Sequence, residues 1–395
     1  MKKTLIALAA LGAMAGVAHA QSTVTLYGLL DGNIQSYKSN VVVGTGAGAT
    51  IQSLTQTKID SGGLNGSRWG MRIKEDIGGG MAIVGNLESG INLDTGSSAQ
   101  GGLLFGRRAN VGVSSGFGTL VIGRNSSSYD DVSADHAMMG QTIFDPSNVN
   151  NGPNAGRAAS AIAGNVPALA EFLNRNTAWV GYNTRFNNSV KYDTPNFSGF
   201  SGSLMYAFGE DKTVGTATTV GQSATKTVSA NLKFSNGPLL VSGGYQSEGL
   251  GGSTNVNGAA TPGSNAFGKP VLENALLNVA YDFGVAKVGA GFNRAKYKAV
   301  TAFGGDLAPQ KEWSLSVAVP LGATTLSAGY ARSKGDDLGR STGFGVQALY
   351  ALSKRSTLYA GAQSTKNFDR LASFAPVGSS IGRTQTYGLG LRHTF

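Results

Sequence analysis

Arg68, Gly70, Arg72 and Lys74 take alternate positions in SRWGMRIK, with Trp69, Met71 and Ile73 between them. Side chains of an extended strand point in turn to its two faces, so this spacing puts fixed positive charges on one face and large apolar groups on the other. Arginine keeps its charge even beside other cations. Such a face can hold anions or orient dipoles, but it does not shuttle protons. The same parity puts Arg108 on the charged face of FGRRANVGV, where Phe105, Ala109, Val111 and Val113 form the apolar set, and leaves Arg107 near the outer rim. In a third segment Val190 and Tyr192 are apolar, and Arg185, Lys191 and Asp193 share the charged face if the strand begins as early as Arg185.

Acid–base chemistry has little to work with. Hydrolysis usually calls for a histidine beside a nucleophile or an acid, and beyond residue 20 the chain holds only His136, in a long polar segment, and His393, two residues from the end. His393 shares the parity of the apolar Leu391 and Phe395. With Cys at 0 there is no disulfide framework and no thiolate metal site. Calcium takes about six to eight oxygens, and no EF-hand-like spacing gathers the aspartates. No metal, no cofactor and no enzymatic activity are expected.

The elements that must position these residues are strands. Leu315, Val317 and Val319 alternate with Ser314, Ser316 and Ala318, and Phe344, Val346 and Ala348 with Gly345 and Gln347. At the end of the chain Tyr387, Leu389, Leu391 and Phe395 alternate with Thr386, Gly388, Gly390 and Arg392. One face suits lipid and the other water. Segments of about ten residues, enough for a tilted strand to cross a bilayer, are joined by two kinds of connection. The short ones lie at 78–80, 116–118, 195–199, 236–238, 283–284, 321–323 and 353–356. The long, polar ones lie at 38–64, 95–103, 126–176, 210–225, 249–272, 299–310, 333–340 and 367–382. Their alternation predicts an all-β fold, a 16-stranded antiparallel transmembrane β-barrel with one rim of turns and one of loops. Closure removes the sheet edges that hydrocarbon does not tolerate. Gly, at 59 of 395 residues, then belongs to turns and to crowded strand positions.

Lys2 and Lys3, the apolar run Leu5 to Val17, and Ala18-His19-Ala20 read as a cleaved signal peptide over 1–20, with 21–395 as a single barrel domain. Loss of the two lysines lowers the net charge from +10 to +8. The charge is dispersed, without blocks or a recognised nucleic-acid module, so no nucleic-acid partner is expected.

VTLYGLLDG near the start, SRWGMRIKEDIGGGMAIVGNLESG, FGRRANVGVSSGFGTLVIGRN, NNSVKYDTPNFSGF and the final GLGLRHTF resemble the general diffusion porins of Gram-negative bacteria, of the beta-proteobacterial and neisserial type. The resemblance runs the whole length of 21–395. It implies a homotrimer in outer-membrane lipid and a long third loop infolded into the pore. It also implies a ladder of wall arginines opposite acids on that loop. Arg68 and Arg108 match two ladder positions, and Arg185 and Lys191 match less closely. Arg124 in GRN matches a further basic position, although parity would turn it outward, so the strand must bend there. Glu88 in LESG matches an inward acid, and Asp130, Asp131, Asp135 and Asp145 supply the loop acids. The segment 158–173 exceeds what the motifs cover and has a helical pattern. The implied function is a passive channel for small hydrophilic solutes and inorganic ions that favours anions. The alternative is a non-enzymatic surface or adhesion barrel whose loops bind partners.

Overall fold

The structure is a computed structural model that describes residues 22–43, 50–147, 178–209, 224–249, 271–299, 305–370 and 382–395. The expected signal peptide and the 158–173 segment lie outside the described residues. The strands are β1 (Thr23–Val43), β2 (Thr50–Ser61), β3 (Arg68–Gly78), β4 (Met81–Gly90), β5 (Arg108–Ser115), β6 (Gly118–Ser126), β7 (Arg185–Asp193), β8 (Phe200–Phe208) and β9 (Lys226–Asn236). They continue with β10 (Leu239–Gly249), β11 (Val271–Asp282), β12 (Lys287–Lys298), β13 (Gln310–Leu321), β14 (Thr324–Gly335), β15 (Gly339–Ala351), β16 (Ser356–Lys366) and β17 (Arg383–Thr394).

Neighbours in sequence pair antiparallel, and β17 closes on β1 with Ile34 opposite Leu389 and Tyr37 opposite Thr386. The sheet has 17 segments, but β2 and β3 share one place beside β1. Leu26 of β1 lies opposite Met71 of β3, and Ile34 lies opposite Ile59 of β2. The barrel therefore has 16 strands. All the expected short turns join adjacent strands.

One long connection differs from expectation. The chain from 38 to 61 continues β1 to Val43 and returns as β2, instead of looping from residue 38. Its Thr, Val and Ile residues favour extended backbone, and pairing on one edge with polar side chains suits a ribbon in water. A search for apolar faces passes over it.

The two faces separate as alternation requires. Val24, Leu26, Ile34, Leu315, Phe344 and Leu389 are exposed outward, whereas Asn33, Gln35, Ser314, Gln347 and Thr386 are buried toward the interior. The interior also holds apolar clusters. Tyr129, Val132, Trp179 and Tyr182 pack with inward residues of β11 and β12 such as Leu276 and Tyr297. Leu64, Met139, Ile143, Phe144 and Tyr359 form another.

Both clusters arise because the β6–β7 connection, described at 127–147 and 178–184, runs along the inner wall. Tyr129 donates its backbone N–H to Ser229 Oγ of β9 at 2.8 Å. Val132 accepts from Asn278 Nδ2 of β11 at 2.7 Å, and the His136 carbonyl accepts from Ser316 Oγ of β13 at 2.7 Å. Farther on, the Asp145 carbonyl accepts from Gln363 Nε2 of β16 at 3.0 Å. On the returning limb, Val180 N donates to Glu312 Oε1 at 2.7 Å and Asn183 N to Glu248 Oε2 at 3.0 Å. Glycine makes the close approach feasible: a Cβ at Gly289 would overlap the His136 carbonyl oxygen, and one at Gly345 the Phe144 carbonyl oxygen. The wall is thus grooved where the limb lies.

Residues 62–67, between β2 and β3, turn into the barrel. Asp31 Oδ2 accepts the N–H groups of Leu64 at 2.7 Å and Asn65 at 2.8 Å, and Tyr359 donates its hydroxyl to Oδ1. The Gly63 carbonyl accepts from Ile143 N at 2.9 Å. This inward knuckle is the seat on which the far end of the limb rests.

Candidate functional site

Arg68, Arg107 and Arg185 gather around one carboxylate. Tyr27 on β1, Arg68 and Arg72 on β3 and Glu88 on β4 share the inner parity, since Leu29 faces Arg68 and Glu88 faces Arg108 across the ladder. Glu88 Oε1 accepts from Arg107 Nε at 2.6 Å, and Glu88 Oε2 accepts from the Tyr27 hydroxyl at 2.9 Å. The Arg72 guanidinium lies 4.2 Å from the centre of the Tyr27 ring, a cation–π arrangement. Arg68 stands within electrostatic reach of Arg107, Glu88 and Arg108. Arg185 stands within reach of Arg107, Asp130, Arg124 and Glu88. Lys74, paired with Thr23, lies toward the rim of short turns, away from this cluster.

Arg124 depends on a break in the ladder. Between Gly123 and Asn125 the register slips, because β7 inserts one extra residue there and Asn188 takes φ +48°. The Arg124 side chain is buried, with Nε donating to the Gly106 carbonyl at 2.7 Å and Nη1 to Asn187 Oδ1 at 2.6 Å. The register slip, rather than simple parity, sets the direction of this side chain. β7 also begins at Arg185.

The loop acids divide. Asp131 pairs with Lys191 of β7, and Asp135 pairs with Lys233 of β9 at 3.0 Å. Asp130 Oδ1 accepts from the Tyr182 hydroxyl at 3.0 Å. Burial pushes the carboxyls of Asp130 and Asp131 above the ordinary range, against the pull of Arg185 on the first and Lys191 on the second. Asp145 stands apart from these three. It is buried beside β15 and β16, where its Oδ1 accepts from Ser147 Oγ at 2.7 Å. His136, stacked on Trp179 at 5.0 Å between ring centres, is pushed down to about 4 by burial. A neutral imidazole fits that setting.

Arg107, expected near the outer rim, instead turns inward onto Glu88. It precedes β5, so strand parity carries no information about its direction. Tyr27 and Lys233 were also passed over. The alternation of VTLYGLL sets Tyr27 on the inner face and was the available signal. Alternation with Leu232 and Phe234 sets Lys233 on the inner face as well, while its partner, on a loop 98 residues away, has no such signal. Among the described residues no cluster of His, Cys, Asp and Glu fits a metal ion.

Residues 7–370 match a family model described as Gram-negative porin. The chain is 31% identical over 436 residues to an outer membrane porin protein of Bordetella pertussis, with 100% of both chains covered. It is 30% identical over 406 residues to outer membrane porin protein 32 of Delftia acidovorans, again with 100% of both covered. An anion-selective porin from Comamonas acidovorans has a similar structure, with a TM-score of 0.68 at 26% identity, covering 95% of this chain and 100% of that one.

Proposed function

The chain belongs to the Gram-negative porin family and is a diffusion channel of the outer membrane, and from that premise we propose that its lumen passes small hydrophilic solutes and ions with a preference for anions. The observation that carries this reading is the gathering of Arg68, Arg107 and Arg185 around Glu88, with Arg108 beside Arg68, Arg124 beside Arg185, and several loop acids already tied to lysines. In a water-filled barrel, charges lining the narrowest level set which ions pass. Fixed guanidinium groups lower the energy of an anion there and raise that of a cation.

The β6–β7 connection forms the opposite wall of this constriction. Asp130, Asp131 and Asp135 shape the transverse field, Lys191 and Lys233 anchor the loop, and Arg72 and Lys74 extend the basic track toward the short-turn rim. The porin is a homotrimer, and residues 1–20 are removed on export. The anion-selective relative at 26% identity supports the sign of the preference. No step of passage calls for catalysis, since each solute moves down its own gradient.

Single-channel recording of the purified trimer in a planar bilayer tests the channel. Ohmic steps are expected, and their absence would leave the surface-protein alternative in place. Under a salt gradient the reversal potential should carry the sign of anion preference. A cation preference in the unaltered protein would defeat the selectivity reading.

A further inference from the structure

The outer surface of the barrel carries a second concentration of basic residues, away from the lumen. On β12 to β15, Arg294 lies opposite Lys311, Lys311 opposite Lys334, and Lys334 opposite Arg340, so one rung of the ladder carries four cations in a row. A neighbouring rung sets Arg332 opposite Thr342, Thr342 opposite Lys366, and Lys366 opposite Arg383. These residues share the parity of the lipid-facing Phe292, Leu315, Tyr330 and Phe344, and all but the half-buried Arg332 are exposed. Like charges directly opposite each other destabilise a sheet. A chain that keeps several such pairs in line needs a counter-anion.

The described residues do not supply one. Among the described residues no carboxylate lies within ion-pair distance of Arg294, Lys311, Arg332, Lys334, Arg340, Lys366 or Arg383. Glu273 is engaged with Lys298 at 2.7 Å, Asp306 with Lys296 at 2.8 Å, Asp369 with the Arg340 backbone N–H at 2.8 Å and Asp337 with the Ala308 N–H, while Asp336, exposed in the β14–β15 turn, forms no ion pair with the rung. The adjoining connections at 250–270, 300–304 and 371–381 contain no Asp or Glu. On the other side of the barrel the corresponding outward residues Ala109, Ile122, Tyr206 and Phe208 are uncharged, and Lys226 faces Phe208 rather than another cation.

Position identifies the counter-anion. The rungs lie at the strand ends that meet the long connections, the rim that faces outward in such barrels. Phe292 and Trp313 continue the second rung beside Arg332, and one outward step below it toward the membrane Tyr330 stands opposite Phe344, together the aromatic girdle that marks the level of lipid headgroups. We propose that the outer face of β12–β17 is a binding site for a lipid of the outer leaflet that carries at least two phosphate groups. A rung across four strands spans about 14 Å at the usual strand spacing, longer than a single phosphate covers. Arginine grips phosphate oxygens in pairs and lysine acts as a point charge, while the acyl chains lie along the apolar band below. The porin reading enters only in deciding which rim faces out.

The test uses the full-length mature protein in dodecyl maltoside micelles, titrated with a bisphosphorylated diglucosamine lipid and followed by native mass spectrometry. Saturable binding is expected, and Lys311→Gln with Lys334→Gln should weaken it about thirtyfold. Lys354→Gln with Arg355→Gln, at the opposite rim, removes the same charge and should leave it unchanged. Several outcomes would overturn the proposal: no saturable binding, equal binding by the two double variants, equal binding of phosphatidylethanolamine, or displacement by inorganic phosphate at matched phosphate concentration. The last would mark a free-anion site. Loss of channel steps with lipid binding intact would sink the porin reading alone.

Discussion

Two groups of basic side chains, the inner cluster on β3 to β7 and the outer rungs on β12 to β17, differ in what neutralises them. Inside, Arg107 holds Glu88, Lys191 holds Asp131, and Arg124 is bound by a carbonyl and an amide. Outside, Lys311 and Lys334 face only other cations across the ladder. An interior shared with a docked loop can fit some charges with protein partners, so the basic surplus left over is directional. A surface bathed in lipid headgroups can leave its charges to the surroundings. The same residue types therefore tune a passing ion in one place and hold a resident one in the other.

Acidification should separate the two groups most strongly, since it acts on the lumen loop through His136. His136 is held near 4 when the loop is docked, below its ordinary 6.5. The undocked loop then binds the proton more readily. Its contribution is complete above about pH 6.5 and is lost as the pH falls toward 4, at most about 3 kcal/mol. Closures or current noise should increase over that window, and His136→Phe should flatten the His-dependent part of the change. Next in size, Arg68→Ser with Arg108→Ser should lower the anion-to-cation permeability ratio by about thirtyfold, taking about 1 kcal/mol per charge near an ion's path in water. Lys311→Gln with Lys334→Gln should leave the reversal potential in place, because those charges lie outside the wall and the Debye length is about 8 Å.

A smaller effect, about fivefold toward anions, is expected from Glu88→Gln, which removes one acid from the cluster and frees Arg107. Reversal potentials under a salt gradient measure it. Smallest is Lys334→Glu. It gives Lys311 and Arg340 an opposite charge across the ladder and should raise the thermal midpoint in detergent by an amount worth about 0.2 to 1 kcal/mol. A fall instead would show that the outer rungs do not repel.

Much of this arrangement was legible in the sequence, because a barrel wall obeys a period of two. Strands and short turns follow from alternation, and so do the inner faces of Arg68, Arg72 and Arg108. Where residues leave the regular ladder, alternation no longer applies. Arg107 takes its direction from Glu88, and Arg124 from an insertion in a different strand. The final place of Asp145 is set by β15 and β16, about two hundred residues farther along. β2 was missed for another reason: a polar ribbon beyond the apolar band has no greasy face to betray it.

The knuckle at 62–67 has a consequence for the order of assembly. Its clamp joins Asp31 to Tyr359, 328 residues away in sequence. The seat under Met139, Ile143 and Phe144 is therefore incomplete until the first and penultimate strands have met around the closing β17. Contacts of such separation form late, after the loop-closure entropy has been overcome. The cylinder must zip before its contents can settle, and the β6–β7 connection waits inside an open, leakier tube until the last hairpin arrives.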